Sequence, residues 1–252
     1  MIKFFRKIRQ KLLSEGNTGK YLKYAIGEIV LVIIGILFAL QINNWNVNHN
    51  NLKESQEFVK RLQGEIESNI NFTKAEIQRK ENEIESSLAI LKMFDEEDQT
   101  QLSSRTLDSL IFITMSNNNM EFKVGTLNEG LNTGTVALIK SDSLKTLLYG
   151  LPSLLEETRK LEAYNNEDLN EYFYPFIYKH FSFRQMDGEF SDYADQLGQS
   201  KFSDHSNLNV LNSLEFENLI DNRFYSTNGQ LKSYKRLKTY LENLYQVMAE
   251  YH

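Results

Sequence analysis

The sequence predicts an all-α protein: a single N-terminal transmembrane helix, followed by an antiparallel helical bundle with a long, coiled-coil-like first helix. Three observations carry this expectation. Only two prolines occur in 252 residues, which permits long helices and disfavours a turn-rich all-β chain. Positions 29–40 are apolar without interruption. Beyond position 52, apolar residues recur at threes, fours and sevens, the spacing of one helix face. Sixteen Phe and 13 Tyr argue against disorder. The absence of cysteine excludes disulfides, a lipidated N-terminal cysteine, thiolate metal sites and cysteine nucleophiles.

Charge is segregated along the chain. Residues 1–23 hold seven bases and one acid, residues 24–45 hold only Glu28, and the remainder carries a net -11. These blocks set three segments: a basic cytoplasmic segment (1–23), a transmembrane helix (24–45) and an exported helical domain (46–252). In the first, Phe5, Ile8 and Leu12 recur at helical spacing, with Arg6 and Arg9 among the intervening bases. That pattern suits an amphipathic helix in the membrane interface, drawn to anionic lipids by about 1 kcal/mol per base. A simple topology-setting basic stretch and a docking helix for a cytosolic partner are the alternatives. Nucleic-acid binding is not expected, because the bases adjoin the span and no nucleic-acid motif accompanies them.

The apolar block at 25–42 would measure about 27 Å as a helix, close to the hydrocarbon thickness of a bilayer. Tyr21 and Tyr24 lie at one end and Trp45 at the other, where an aromatic belt would place them. A buried core helix of this length would be unusual. A cleaved signal peptide is disfavoured because Gln41, Ile42, Asn43, Asn44 and Trp45 offer no small-residue cleavage pattern. The seven preceding bases place the N-terminus in the cytoplasm and the bulk of the chain in the periplasm. Glu28 either reaches the headgroups, with Lys20 or Lys23 in range, or is shielded in a homo-oligomer. The second reading uses Gly27, Gly35 and Ala39, which fall on one row and would let helices approach closely.

The stretch Met1-Ile2-Lys3-Phe4-Phe5-Arg6, with Ile8-Arg9-Gln10, Tyr24-Ala25-Ile26-Gly27-Glu28-Ile29 and Ile34-Gly35-Ile36-Leu37-Phe38-Ala39-Leu40-Gln41-Ile42-Asn43-Asn44-Trp45-Asn46, resembles a Bacteroidota family of single-span membrane proteins carrying a domain of unknown function. The similarity is close over about the first 46 residues and looser around Thr126, Leu131, Gly134 and Asp142. It implies an inner-membrane anchor with a variable helical exported domain, and it implies no catalytic residue or ligand.

In the exported part, Leu52, Val59 and Ile66 step by seven, as do Ile70, Ile77, Ile84 and Leu91 after a four-residue stutter. Six Asn among positions 43–51 predict a break or fray before this helix, with one helix running on out of the membrane as the alternative. The acids at 95–98 end it as a solvated turn, since the ligand spacing and central Gly of a calcium loop are missing. Ser103 or Ser104 caps a short helix, and Thr126 with Glu129 reads as a capping box. Gly130 and Gly134 break the chain before the apolar 136–139, and with Gly125 they miss the spacing of a phosphate loop. Ser141 starts a helix expected to kink or restart at Pro152 and to break at Pro175. The aromatic stretch 172–181 reads as core, with a ligand cage as the rarer use. Residues 182–212 read as loop-rich; a short helix around Phe216 and Ile220 then precedes a closing helix from Leu231 to Tyr251.

Catalytic constellations are not legible. His49, His180, His205 and His252 are scattered without a zinc-pair spacing, and there is no Gly-x-Ser-x-Gly elbow. No cofactor and no enzymatic activity are expected. The expected function is an envelope scaffold or protein-interaction module with a protein partner, in one form as a homo-oligomer. A periplasmic ligand-binding sensor that signals through a partner is the alternative.

Overall fold

The computed structural model describes residues 18–116 and 120–251, and every regular element among them is helical. The chain divides into two units, Met1–Ser55 and Gln56–His252. Nine α-helices follow in order among the described residues: α1 (Thr18–Phe94), α2 (Ser104–Thr114), α3 (Gly125–Thr133), α4 (Thr135–Leu138), α5 (Asp142–Asp168), α6 (Tyr174–His180), α7 (Phe183–Phe190), α8 (Ala194–Leu197) and α9 (Leu214–Ala249).

In the first unit, α1 contains an 18-residue window of mean hydropathy 2.5, none of it buried, long and apolar enough to cross a membrane. The break expected at 43–51 is absent: α1 is helical throughout that tract. Asparagine costs a helix well under 1 kcal/mol per residue, neither Gly nor Pro occurs there, and propagation from turns already formed is cooperative. Trp45 and His49, one turn apart, stack with ring centroids at 5.7 Å.

In the second unit, paired contacts give the directions of the helices. Tyr240 Oη donates to the Leu147 carbonyl at 2.7 Å, Arg236 pairs with Glu157 at 2.8 Å, and Asn222 donates to Asp168 at 2.8 Å. Rising numbers on α5 thus meet falling numbers on α9, so the two are antiparallel. The contacts Lys74–Glu242, Glu81–Lys235 and Glu83–Arg223 show the same of α1 and α9. The return path from the end of α1 is an interrupted helix. The Thr114 carbonyl lies at the level of Arg223, Lys123 exchanges two hydrogen bonds with Asn69, and Glu129 meets Arg61. The result is a bundle with one broken member, α2 and α3, beside three long ones.

Local chemistry accounts for the departures from expectation. The N-terminus of α3 is not capped by Thr126. The Glu65 carboxylate of α1 accepts from the Thr126 and Leu127 amides at 2.8 and 3.1 Å, answering orphan donors and the positive helix end. Glu129 is turned instead to Arg61 at 2.9 Å. Gly130 does not break the helix; it admits the Phe58 ring, which any Cβ there would overlap. Gly134, with φ at +80°, is the real terminator. Helix α5 runs through Pro152 without restarting, and Tyr240, fitted against Gly150, hydrogen-bonds the Leu147 carbonyl in the disturbed turn. The disruption at Pro175 is absorbed just before it by a π-helical turn, Leu169–Phe173. Two short helices, α7 and α8, and a 3₁₀ turn, Asn207–Asn212, occupy the region expected to be loop-rich, and α9 is one helix rather than two.

The core is in two parts. One gathers Phe58, Leu62, Ile66, Leu148, Tyr234 and Leu241; the other gathers Ile90, Ile111, Phe173, Phe176, Phe216 and Ile220. Each fully buried aromatic or branched side chain contributes about 1.5–3 kcal/mol, which lets the unit hold without disulfides.

Candidate functional site

The two apolar clusters are separated by a polar layer. Along α1 the inward stripe of Val59, Leu62, Ile66 and Ile70 continues into Thr73, Glu76, Lys80, Glu83 and Ser87, all buried. The heptad positions Ile77, Ile84 and Leu91 lie half-buried on its flank. On α9 the inward face between Ile220 and Leu231 is likewise polar, with Arg223, Thr227 and Gln230 buried. Thr158, Glu162 and Asn165 of α5 complete the layer.

Its centre is an ionic triad. Lys80 Nζ donates to both Glu83 carboxylate oxygens, at 3.1 and 2.9 Å. Arg223 Nη2 donates to Glu83 Oε2 at 3.4 Å and to the Thr114 carbonyl at 3.2 Å, and the guanidinium lies 5.9 Å from the Phe173 ring centroid. Two cations share one anion, all at 1–2% exposure. Burial pushes the Lys80 ammonium below its ordinary value against the pull of Glu83. Burial also lowers Arg223, again opposed by Glu83.

Glu162 forms a second centre. Its carboxylate accepts from Tyr234 Oη at 2.7 Å and from the Met120 amide at 3.3 Å. Burial nevertheless holds the carboxyl above the ordinary 4.5, and the Tyr234 phenol is raised first by burial and then by Glu162. Because Glu162 binds its proton more tightly when folded, its contribution is fully present below pH 4.5 and is lost as pH rises through the folded value. Asp108, raised by burial despite Asn207 at 2.7 Å, acts with the same sign. Lys80 acts oppositely, adding stability as pH climbs toward 10.5. We therefore expect the urea midpoint of wild type to fall as pH rises from 4.5 through the folded value of Glu162, and Glu162→Gln to flatten that fall. An identical slope in the variant would remove Glu162 as its source.

A surface groove of about 750 Å³ lies where the π-helical turn and α6 meet the start of α9. Phe176 lines it, with Tyr172 and Leu214 at 59% and 71% exposure. Asp168, Glu171 and Glu215 line it against Lys179 and His180. The aromatic stretch 172–181 is thus only partly core: Phe173, Phe176 and Phe181 are buried, whereas Tyr172 and Tyr178 face outward. The His180 ring lies tilted against Phe176, with centroids at 4.4 Å, and its carbonyl lies 2.9 Å from His205 Nε2.

The residues singled out from sequence sit elsewhere. Gly27, Gly35 and Ala39 are exposed on α1, and neither glycine has anything but its own helix within 4 Å of an added Cβ. Glu28 is partly covered beside Ala25, Ile29 and Val32. Tyr24 and Trp45 are exposed, and Tyr21 is half-covered. Phe5, Arg6, Ile8, Arg9 and Leu12 lie outside the described residues. The layer of Lys80, Glu83, Glu162 and Arg223 escaped the sequence reading. Its signal was the coincidence of two polar gaps in the apolar stripes of α1 and α9.

Among the described residues, no group of three or more His, Asp or Glu is arranged to hold a metal ion. No family model, curated protein or solved structure matches the chain.

Proposed function

We propose that the protein is a bitopic inner-membrane scaffold or adaptor, its N-terminus cytoplasmic and its helical bundle exported to bind a protein partner in the envelope. The observation that carries the interaction reading is the open groove at Tyr172 and Leu214, with exposed apolar side chains above Phe176. Large apolar groups left on a rim beside a trough of this kind suit a protein segment better than an enclosed small molecule. The apolar window of α1 and the resemblance of residues 1–46 support the anchor. The basic N-terminal segment supports the orientation and a contact with anionic lipid. The exposed row of Gly27, Gly35 and Ala39, beside Glu28, suits self-association of the span as one form of scaffold.

The test is site-specific photocrosslinking in intact cells. A benzophenone amino acid at Tyr172 or Leu214 is expected to give one discrete adduct. The same probe at Tyr149, exposed on α5, gives none. Charge reversal at Glu171 and Glu215 reduces the adduct at least severalfold. Equal labelling from all three positions would refute the groove as the binding face.

A sensor is the second reading, favoured by the buried polar layer: such groups between helices are what a small polar ligand would use.

A further inference from the structure

Four buried polar atoms in the central layer have no protein partner: Asn165 Oδ1, Arg223 Nε, Thr227 Oγ1 and Gln230 Oε1. Their residues are 1–2% exposed. Buried polar groups in native proteins are satisfied almost without exception, so four in one place require an explanation. They belong to one stretch of the bundle. Arg223, Thr227 and Gln230 follow one another on a single face of α9, over about 10 Å of helix. Asn165 donates its Nδ2 to the Ser226 carbonyl at 3.1 Å, which sets its amide beside the same stretch of α9.

The chemistry of the four atoms selects the occupant. Asn165 Oδ1 and Gln230 Oε1 only accept, Arg223 Nε only donates, and the Thr227 hydroxyl does either. A cation would be repelled by Arg223 and by Lys80 behind Glu83. An anion would satisfy Arg223 but confront the two amide oxygens. Compact neutral molecules that both donate and accept, spaced along this stretch, suit all four. We propose that the middle of the bundle is an internal hydration site, in which ordered water molecules link Asn165 of α5 to Arg223, Thr227 and Gln230 of α9. Polar interiors hydrate whereas apolar ones stay dry, and the two apolar clusters on either side confine the water to this layer. The hydration site is independent of whether the surface groove binds a partner.

Two measurements on the full chain in detergent test it. A crystal structure is expected to show water peaks within hydrogen-bond distance of Arg223 Nε and of at least one of the two amide oxygens. Thr227→Val, nearly isosteric, removes a partner from a bridging water and is expected to lower Tm by about 2–4 °C. If the hydroxyl bonds nothing, the same substitution relieves a buried unsatisfied group and Tm is unchanged or rises, which overturns the proposal. A dry layer overturns it too, and so does density too large for water at these atoms, which would establish a solute site instead.

Discussion

Glu83→Gln is expected to destabilise the bundle by about 3–5 kcal/mol, the cost of breaking a buried ion pair by removing one partner. The substitution conserves volume, so the cost is electrostatic. It leaves Lys80 and Arg223 buried and facing one another with no shared anion. Lys80 has one escape: its ammonium already sits below the ordinary 10.5, and without Glu83 it falls further. Each unit of that fall costs about 1.4 kcal/mol and sets a ceiling on the damage at neutral pH. The variant therefore carries a signature that lost packing would not produce. A lysine whose folded value is depressed stabilises progressively as pH rises toward 10.5, so the deficit of Glu83→Gln shrinks between pH 7 and pH 10. Arg223→Met should cost less, about 1–3 kcal/mol, because the Lys80–Glu83 pair it leaves is neutral and the main loss is the donor to the Thr114 carbonyl. Replacing Lys80, Glu83 and Arg223 together with Met, Leu and Met should be neutral or stabilising, since the desolvation cost of three charges disappears with them. Urea denaturation of the four proteins measures all of this. If the triple replacement is as damaging as Glu83→Gln, the triad stabilises the fold outright and the electrostatic account fails.

That ordering also says why the layer was hard to read from sequence. The heptad through Ile70, Ile77, Ile84 and Leu91 is real, but a straight helix has 3.6 residues per turn and drifts about 20° per heptad. By Thr73 the inward face has moved to Glu76, Lys80 and Glu83, leaving the isoleucines half-covered. A charge at such a position reads as solvated unless its partners are known, and Arg223, the partner of Glu83 on α9, is 140 residues away. The capping of α3 by Glu65 hides for the same reason, because its contacts span 61 and 62 residues. Likewise the polar stretch from Asp221 to Gly229 suggests a break in α9, and the helix persists because Asn222, Arg223 and the Ser226 carbonyl each have a partner on another helix. What was legible is what needs no distant partner. The all-helical class, the end of α1 at Phe94, the Ser141 cap and the buried stripe Tyr234, Leu237, Leu241, Leu244 and Met248 follow from local pattern.

Deleting residues 1–55 is expected to move the protein completely from the membrane pellet to the soluble fraction, while the remaining unit keeps its helical circular dichroism. Ten Ile, Val, Leu and Phe at positions 29–40 each favour the bilayer centre by about 0.3–0.6 kcal/mol, roughly 3–6 kcal/mol together. Glu28, near one end of the apolar block, offsets only part of that, since the full penalty of about 2.5–3.5 kcal/mol applies at the centre. A single mid-span charge is therefore a graded test: Ile34→Arg exchanges one favourable residue for one unfavourable residue and brings insertion near balance, so partial release is expected. Deletion removes the whole term. The unit Gln56–His252 retains every member of both apolar clusters, from Phe58 to Met248. Alkaline carbonate extraction of the full chain separates insertion from surface adhesion, because only a lipid-embedded helix stays in the pellet. Release of the full chain by carbonate would mean that the exposed apolar window is covered by another protein rather than by lipid.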